Sequence, residues 1–342
     1  MTDNKLKRKN ITLAHGGGGR VSKDLIEDIL VKKFGSPDSS GLQDCAFLDV
    51  PANSKLAFTT DSFVVKPLFF PGGNIGTLSI NGTVNDLAVS GAKPLLISCA
   101  MILEEGLDID IFKKIVDSIG LASEEANIKI VTGDLKVVEK GAADSIFINT
   151  SGIGIISDRV NIASYLAKPG DKILVNGYVG DHGASILGAR GEFKLDFQIE
   201  SDCKPLHSLM EEMIKVCPDI HCVRDATRGG VATVLNEIAQ DSDVLIKIFE
   251  AKIPVREEVQ GVCEILGIDP LYMANEGTLV AVIPSADSQK ILSAMQNHPD
   301  GKNSQIIGEV EESVKSRLIL QTTFGTDRIL EIPFGDQLPR IC

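Results

Sequence analysis

Residues 55–91 read KLAFTTDSFVVKPLFFPGGNIGTLSINGTVNDLAVSG and show how the first half of the chain is built. A run of apolar and β-branched residues from Lys55 through Thr60 predicts a strand, which a loop rich in Pro and Gly (residues 67–73) follows. The spacing of the next residues predicts a helix over roughly 75–90, closed by Gly91. A strand and a helix in this order predict a mixed α/β unit.

The same alternation continues along the chain. Apolar stretches at 95–103, 128–132 and 145–156 predict strands, and residues 110–126 have helical spacing. The pattern restarts near Ser157-Asp158-Arg159, and a new series begins with a strand predicted over 172–179. It continues with strands predicted over 221–224, 244–249 and 277–283 and with helices predicted over 205–216, 230–240 and 255–266. We therefore predict an α/β (α+β) fold with two domains. Its predicted parts are a flexible start at 1–10, a first domain at 11–157, a second domain at 158–331 and a mobile tail at 332–342.

The composition excludes several classes of function. The 342 residues carry 34 Lys and Arg against 47 Asp and Glu, which gives a net charge of −13. This negative charge disfavours nucleic acid and anionic membranes as partners. No apolar run approaches the ~20 residues of a membrane span. Seven cysteines without a basic and then apolar leader predict a cytoplasmic protein with reduced thiols.

Three aspartates come from separate predicted elements. Asp61 follows the first strand, Asp86 lies in the helix, and Asp134 follows the strand at 128–132. Such carboxylates could hold Mg²⁺ together with the oxygens of a polyphosphate. Lys136 would share a face with Asp134 if that strand continued, and could hold a transferring phosphoryl group. The alternative is that the carboxylates only cap and turn the chain and that Lys136 is a solvated strand lysine.

A run of four glycines at 16–19 precedes a predicted amphipathic helix that ends near Gly35. Glycine lets a ligand approach the backbone, and the N–H groups at a helix start favour phosphate. The run does not match the P-loop, because no Gly-Lys-Ser/Thr follows it. A phosphate loop and a simple hinge therefore remain equal alternatives, and His15 could contact a nucleotide or only flank the loop.

Two carboxylates of the second half are further candidates. Asp225 precedes a helix predicted over 230–240, where capping is the simpler role. Glu276 lies between a loop and an apolar strand, and a partly buried carboxylate there could act as a general base. The alternative for Glu276 is an ordinary turn residue.

Cys342 is the last residue of the sequence and ends a tail without helical spacing. About ten extended residues reach roughly 30 Å, so this thiol could travel between sites. Its own α-carboxylate disfavours the thiolate, which suits a thiol that another enzyme loads. The other six cysteines are predicted to be structural, and the alternative for Cys342 is an accidental frayed terminus.

Several motifs together resemble the superfamily of aminoimidazole ribonucleotide synthetase and selenophosphate synthetase. They are Thr60-Asp61-Ser62, NGTVNDLA at 81–88, TGDLKVV at 132–138 and DATRGG at 225–230. The closing Leu338-Pro339-Arg340-Ile341-Cys342 resembles one branch, the hydrogenase maturation factors that are carbamoyl dehydratases. The selenophosphate branch has a cysteine or selenocysteine in its glycine-rich loop, and none stands beside His15 here.

The resemblance implies an ATP-dependent lyase whose first domain forms a homodimer through a shared sheet. It implies ATP and Mg²⁺ as cofactors, with Asp61, Asp86 and Asp134 as metal ligands. The ATP-binding residues that it implies are Gly16, Gly17, Gly18, Gly19, Asp61, Asn85, Asp86, Asp134 and Asp225.

The resemblance also implies a reaction and its partners. A carbamoyltransferase, HypF, loads a carbamoyl group on Cys342, and ATP then phosphorylates the amide oxygen, which leaves as phosphate. Lys136 holds the phosphoryl group and Glu276 takes the nitrogen proton. The resulting cyano group passes to iron on a HypC–HypD complex for a nickel–iron hydrogenase. The alternatives are another ATP-dependent synthetase of the superfamily that acts on a free small molecule, and a non-catalytic thiol carrier.

Overall fold

The computed structural model describes residues 9–17, 20–35, 51, 54–191 and 199–333. The first half of this part contains a four-stranded sheet and a short hairpin. The sheet strands are β1 (Lys55–Phe63), β4 (Lys93–Glu104), β5 (Lys129–Val138) and β6 (Ile146–Ile156), and the hairpin pairs β2 (Phe69–Phe70) with β3 (Gly73–Asn74). The sheet order is β1-β6-β4-β5, and only β4 and β5 run parallel.

Helices cover one face of this sheet. They are α3 (Ile75–Val89) and α4 (Ile109–Glu125), and an N-terminal helix runs through α1 (Arg20–Leu25), a π-helical segment (Ile26–Val31) and α2 (Lys32–Phe34). Helix α3 starts where the Asn74 side chain accepts the N–H groups of Gly76 and Thr77. It is buried on nearly all sides, because it lies between the sheet and the second half of the chain.

The opposite face of the sheet is open. Asp61 of β1 pairs with Thr150 of β6, which is fully buried under the helices. Asp61 and every second residue of β1 from it therefore face the helices. The alternate residues point away from the helices, and among them Leu56 is 51% exposed and Phe58 69% exposed. Ile102 of β4 lies on the same open face and is 42% exposed. A large apolar area on one face of a sheet is typical of an interaction surface.

The second half builds a seven-stranded sheet in the order β13-β12-β9-β11-β7-β10-β8. Its strands are β7 (Lys172–Val175), β8 (Cys222–Asp225), β9 (Leu245–Phe249), β10 (Leu279–Ile283), β11 (Gln305–Glu311), β12 (Arg317–Gln321) and β13 (Asp327–Leu330). Its helices are α5 (Asp181–Arg190), α6 (His207–Val216), α7 (Gly230–Asp241), α8 (Glu257–Leu266) and α9 (Ser288–Asn297). Within the described part of the chain, none of the helices has the length and apolar character that crossing a bilayer requires.

The two halves share a core at α3. Ala88 and Val89 of this helix pack in one cluster with Leu206, Leu209 and Met210 of the second half. Because α3 contacts both sheets, it fixes the position of Asp86 relative to the second half.

The mixed α/β fold predicted from the sequence is confirmed. Strand β7 is shorter than the predicted strand over 172–179, because Asn176 leaves the sheet and its side chain bonds to the backbone of Gly277 and Leu279. Helices α5 and α9 and strands β11 to β13 were not among the predicted elements. The predicted flexible start and mobile tail lie largely outside the described residues.

Candidate active site

Asp61 and Asp86 contribute to one acidic cluster on the helix-covered side of the first sheet. Asp61 Oδ1 accepts the N–H of Ser62 at 2.7 Å, and Asp86 Oδ2 accepts the hydroxyl of Thr59 at 2.7 Å. Burial raises the pKa of both carboxyls, and the charge of Asp61 further raises the pKa of Asp86. Carboxylates that repel each other in a partly buried place favour a bound cation.

Asp225 and Glu276 extend this acidic cluster from the second half. Burial raises the pKa of Asp225, the last residue of β8, to about 6, and the charge of Asp86 adds to the effect. Burial also raises the pKa of Glu276 well above its usual range, and the largest contribution from a charge comes from Asp202. The acidic cluster therefore consists of Asp61, Asp86, Asp225 and Glu276. Its free energy would fall on binding a positive charge or on taking up a proton.

Two arginines partly offset this negative charge. Arg228 lowers the pKa of Asp61, and Arg224 lowers that of Asp225, although burial outweighs both effects. Neither arginine was singled out from the sequence, although both belong to or border the DATRGG motif at 225–230. Arginines beside carboxylates are the arrangement expected for a site that holds both a cation and a phosphate.

A cavity of about 400 Å³ opens beside the acidic cluster, between the two halves. Phe58, Asp86 and Leu87 line it from the first half. Ile162, Arg224 and Asp225 line it from the other side. The cavity therefore joins an apolar wall to a charged end, as a nucleotide site requires.

The turn that carries Glu276 is held by buried side chains. The Asn275 side chain accepts the N–H of Gly180 at 2.7 Å and donates to the carbonyl oxygens of Ala226 and Met273. Asn85 donates to the carbonyl oxygen of Glu276 at 3.2 Å. Both amides are almost fully buried, so these bonds fix the backbone at Glu276.

Asn85 was predicted to bind ATP, and its amide is used otherwise here. Its oxygen accepts the N–H of Leu206 at 2.7 Å, and its nitrogen donates to the carbonyl oxygens of Lys204 and Glu276. Both amide hydrogens are therefore engaged with backbone. An ATP contact by Asn85 stays a prediction, and the observed bonds join α3 to the Glu276 turn.

Asp134 lies away from the acidic cluster. Residues paired across neighbouring strands lie on the same face of a sheet. Asp61 pairs with Thr150, Thr150 pairs with Cys99, and Cys99 pairs with Gly133, so Gly133 lies on the helix-covered face with Asp61. Asp134 follows Gly133 and points to the open face, and its side chain is 62% exposed. Three strand spacings separate Asp61 from it, about 14 Å.

Lys136 lies beside Asp134, as predicted from their spacing. Its Nζ donates to Asp134 Oδ1 at 2.8 Å, and this bond lowers the pKa of Asp134. Strand β5 continues to Val138, so the condition that placed both side chains on one face is met.

The glycine loop lies against β5 as well. A Cβ at Gly16 would approach the backbone nitrogen of Val137 to 2.6 Å, so only glycine fits there. His15 is buried, its Nδ1 accepts the N–H of Thr12 at 3.0 Å, and its carbonyl oxygen accepts the Ser22 hydroxyl at 2.6 Å. These contacts give His15 a structural place at the loop. Gly17 lies in the same turn, and Gly18 and Gly19 lie outside the described residues.

The candidate residues thus form two groups within one chain. The acidic cluster is one, and Gly16, Asp134 and Lys136 on or beside β5 are the other. Within the described ranges, no group of three or more His, Cys, Asp or Glu side chains is arranged to hold a metal ion. The metal site built from Asp61, Asp86 and Asp134 therefore stays a prediction.

The cysteines of the described part are free thiols. Cys99, Cys217, Cys222 and Cys263 are buried, in agreement with a structural role. Cys203 differs from them, because it accepts a hydrogen bond from Asn81 at 3.7 Å and the charge of Glu276 contributes, after burial, to its raised pKa. Cys342 lies outside the described residues.

Comparison with known proteins identifies the family. The N-terminal domain model of AIR synthase related proteins matches residues 42–156, and the C-terminal domain model matches residues 168–321. Carbamoyl dehydratase HypE of Rhodobacter capsulatus is 47% identical over 341 residues, which are 98% of this chain and 99% of that protein. The chain belongs to the HypE family. The resemblance inferred from the four motifs and the closing residues is thereby confirmed.

Solved structures of the HypE family have the same fold. A crystal structure of hydrogenase maturation protein HypE in complex with ATP is 43% identical, with a TM-score of 0.92, and the match covers 97% of this chain and 99% of that one. A HypE chain in a HypE–HypF complex is 47% identical, with a TM-score of 0.80, over 90% of this chain and 99% of that one. The predicted two-domain synthetase-like fold class is therefore confirmed.

Proposed function

We propose that this chain is an ATP-dependent carbamoyl dehydratase that converts an S-carbamoyl group on its own Cys342 to an S-cyano group. The observation that carries the proposal is the position of Glu276. It belongs to the acidic cluster, of which Asp86 and Asp225 line the cavity between the two halves, and no side chain of the described residues bonds to its carboxylate. Such a carboxyl is free to exchange a proton with a substrate. The HypE relatives named carbamoyl dehydratase, and the one solved with ATP, support the same activity.

The proposed reaction removes water from a thiocarbamate at the expense of ATP. The amide oxygen attacks the γ-phosphorus, and the bond between that phosphorus and ADP breaks. The carbon–oxygen bond then breaks with phosphate as the leaving group, while the nitrogen loses both of its protons. The balance is thiocarbamate plus ATP to thiocyanate, ADP, phosphate and one proton. Glu276 takes one nitrogen proton and releases it to solvent, because its raised pKa makes it a stronger base than an ordinary carboxylate. The other nitrogen proton ends on the departing phosphate.

Magnesium fits the acidic cluster in part. Asp61 and Asp86 offer hard oxygen ligands whose charge Arg224 and Arg228 offset only in part, and this donor set suits Mg²⁺. Asp134 of the same chain does not reach them from the opposite face of the sheet. Bound magnesium would neutralise the charge of the ATP phosphates. Asp61 and Asp86 would hold it, and Arg228 would meet the remaining phosphate charge.

A homodimer would supply the missing group. The open face of the first sheet exposes Leu56 and Phe58 on β1 and Ile102 on β4, and Asp134 and Lys136 lie on the same face of β5. Strand β1 is at the edge of the sheet, and Phe58 lines the cavity as well as the open face. A second copy that covers this face would bury the apolar area and could bring its own Lys136 past the β1 edge to the acidic cluster. We propose that the ATP site forms between two chains, with the acidic cluster from one chain and Lys136 and the glycine loop from the other.

The residue that precedes the predicted tail is bonded to the segment that leads to Glu276. The hydroxyl of Tyr272 donates to the carbonyl oxygen of Glu331 at 2.8 Å, just before the tail begins at 332. Tyr272 is four residues from Glu276, so a segment of at most about 14 Å separates this anchor from the proposed base. About ten extended residues span roughly 30 Å, which covers this distance.

The proposed partners follow from this cycle. A carbamoyltransferase loads Cys342, and the HypE–HypF complex supports HypF in this role. A HypC–HypD complex accepts the cyano group for the iron of a nickel–iron hydrogenase, and the cycle is proposed to run in the cytoplasm. A synthetase acting on a free small molecule is disfavoured, because relatives identical at up to 47% are named carbamoyl dehydratases.

The proposal is tested first by Cys342→Ala. We expect this variant to bind ATP as the parent chain does and to accept no carbamoyl group from the transferase. A carbamoylated Cys342→Ala chain, detected by mass spectrometry of its peptides, would show that Cys342 is not the carrier. Conversion of the loaded tail from carbamoyl to cyano on addition of ATP tests the chemistry itself.

A further inference from the structure

Asp202 makes three hydrogen bonds to the turn that carries Glu276. Its Oδ1 accepts the N–H of Glu276 at 2.9 Å. Its Oδ2 accepts the N–H of Gly277 at 3.0 Å and the hydroxyl of Thr278 at 2.9 Å. A carboxylate that accepts two successive backbone N–H groups holds the peptide between them in one orientation.

The backbone of Asp202 is equally close to this turn. A Cβ at Gly277 would lie 1.8 Å from the carbonyl oxygen of Asp202, so the two chain segments pack without space between them. Two residues further on, the carbonyl oxygen of Lys204 accepts the amide of Asn85. The segment with Asp202 is therefore fixed to α3, which also carries Asp86.

We propose that Asp202 is a positioning residue that aims the Glu276 carboxyl at the carbamoyl nitrogen. This role rests on the proposed function and goes beyond it, because Asp202 is not a member of the acidic cluster. Other side-chain bonds to the turn come from Asn275, Asn85 and Asn176 and hold its flank and the carbonyl oxygens of Glu276 and Gly277. Only Asp202 bonds to the N–H groups of Glu276 and Gly277 among the described residues.

An amide cannot replace this carboxylate. The side chain of an asparagine has one acceptor oxygen and one donor nitrogen, so it would place an N–H group against one of the two backbone N–H groups. Asp202→Asn therefore keeps the size of the side chain while forcing the turn to move. A displacement of about 1 Å at a catalytic group can lower a rate by about 100-fold.

The experiment measures single-turnover formation of the cyano group on full-length chain loaded with carbamoyl, with saturating ATP and Mg²⁺. We expect Asp202→Asn to lower this rate about 10- to 100-fold and to leave the dissociation constant of ATP unchanged. Asp300→Asn is the matched control. Asp202 and Asp300 both line a second cavity, of about 270 Å³, but the carboxylate of Asp300 pairs with Lys204 instead of the turn. The control should react at the parent rate.

A double-mutant cycle separates positioning from general stability. If Asp202 acts only through Glu276, adding Asp202→Asn to Glu276→Gln lowers the rate no further. Should Asp202→Asn fail to fold, Thr278→Val removes one bond from the same carboxylate and enters the same cycle, with a smaller expected loss. A further loss in the double variant, or a parent-like rate in the single one, would overturn the positioning role. A parent chain that forms no cyano group would instead refute the proposed function.

Discussion

Asp61 and Asp134 lie on opposite faces of one four-stranded sheet, three strands apart. A single chain therefore does not bring both carboxylates to one ion. Lys136, which bonds to Asp134, is likewise kept away from Asp61 within one chain. In the dimer that we propose, a second chain covers the open face and supplies the group that is missing from the first, so activity would require dimer formation.

Mixed dimers test this requirement. We expect Asp61→Asn and Lys136→Met each to abolish cyano formation, and an equal mixture of the two, after subunit exchange, to recover about a quarter of the parent activity. Half of the dimers would be mixed, and each would contain one site with both groups intact. The matched control mixes Asp61→Asn with Asp86→Asn, which damage the same group and should recover nothing. Mixed dimers that form but stay inactive would contradict a shared site.

Glu276 should govern the pH dependence of the chemical step. Because the pKa of Glu276 is raised, we expect the rate to increase with pH in a range above that of an ordinary carboxyl group. Glu276→Gln should lower the rate about 100- to 10,000-fold and remove this pH dependence. The measurement is the single-turnover rate across pH with ATP saturating. An unchanged profile in Glu276→Gln would assign the base to another group.

Asp225 should destabilise the free protein at neutral pH. Its pKa is about 6 in the fold against 3.8 for the free side chain, so the folded state holds the proton more tightly. The loss of folding stability begins as the pH rises above 3.8, the pKa of the side chain in the unfolded chain. It is complete once the pH exceeds the pKa in the fold, about 6. We expect Asp225→Asn to raise the free energy of unfolding at pH 7.5 by on the order of 1–3 kcal/mol and to have little effect near pH 4.

Asp134→Asn is the control for this effect, because the pKa of Asp134 is lowered by Lys136. The ionised carboxylate of Asp134 stabilises the fold, so Asp134→Asn should be slightly less stable than the parent chain at pH 7.5. The change should be small, because the Asp134 side chain is largely exposed to solvent. Chemical unfolding at both pH values measures the two variants. A loss of stability in Asp225→Asn at pH 7.5 would show that its carboxylate is better paired than the structure indicates.

Local spacing predicted the helix that carries Asp86, but it placed the ends of two strands too early, because β1 continues through Asp61 and β5 through Asp134. The helical pattern over 75–90 placed Asp86 on a helix, and the interval of two placed Lys136 beside Asp134. The face on which Asp134 lies could not be predicted, because it depends on the pairing of β5 with β4 and of β4 with β6. Strand register across a sheet joins residues that are far apart in sequence, and no local pattern reports it.

Asp202 shows the same limit for hydrogen bonds. It lies 74 residues before Glu276, outside every motif that resembles the family, and only the folded chain brings the two together. Asn85 belongs to a motif and was predicted to bind nucleotide, yet its bonds join the two halves. A motif indicates that a residue is important to the family, but only the contacts in the folded chain show which atoms its side chain binds.

The central claim is that this chain dehydrates a carbamoyl group on its own Cys342. Its most direct test is mass spectrometry of the C-terminal peptide from chain loaded by a carbamoyltransferase, before and after addition of ATP and Mg²⁺. We predict that the peptide loses the mass of one water while one ADP and one phosphate form per tail. An unchanged peptide mass, with or without ATP hydrolysis, would contradict the claim.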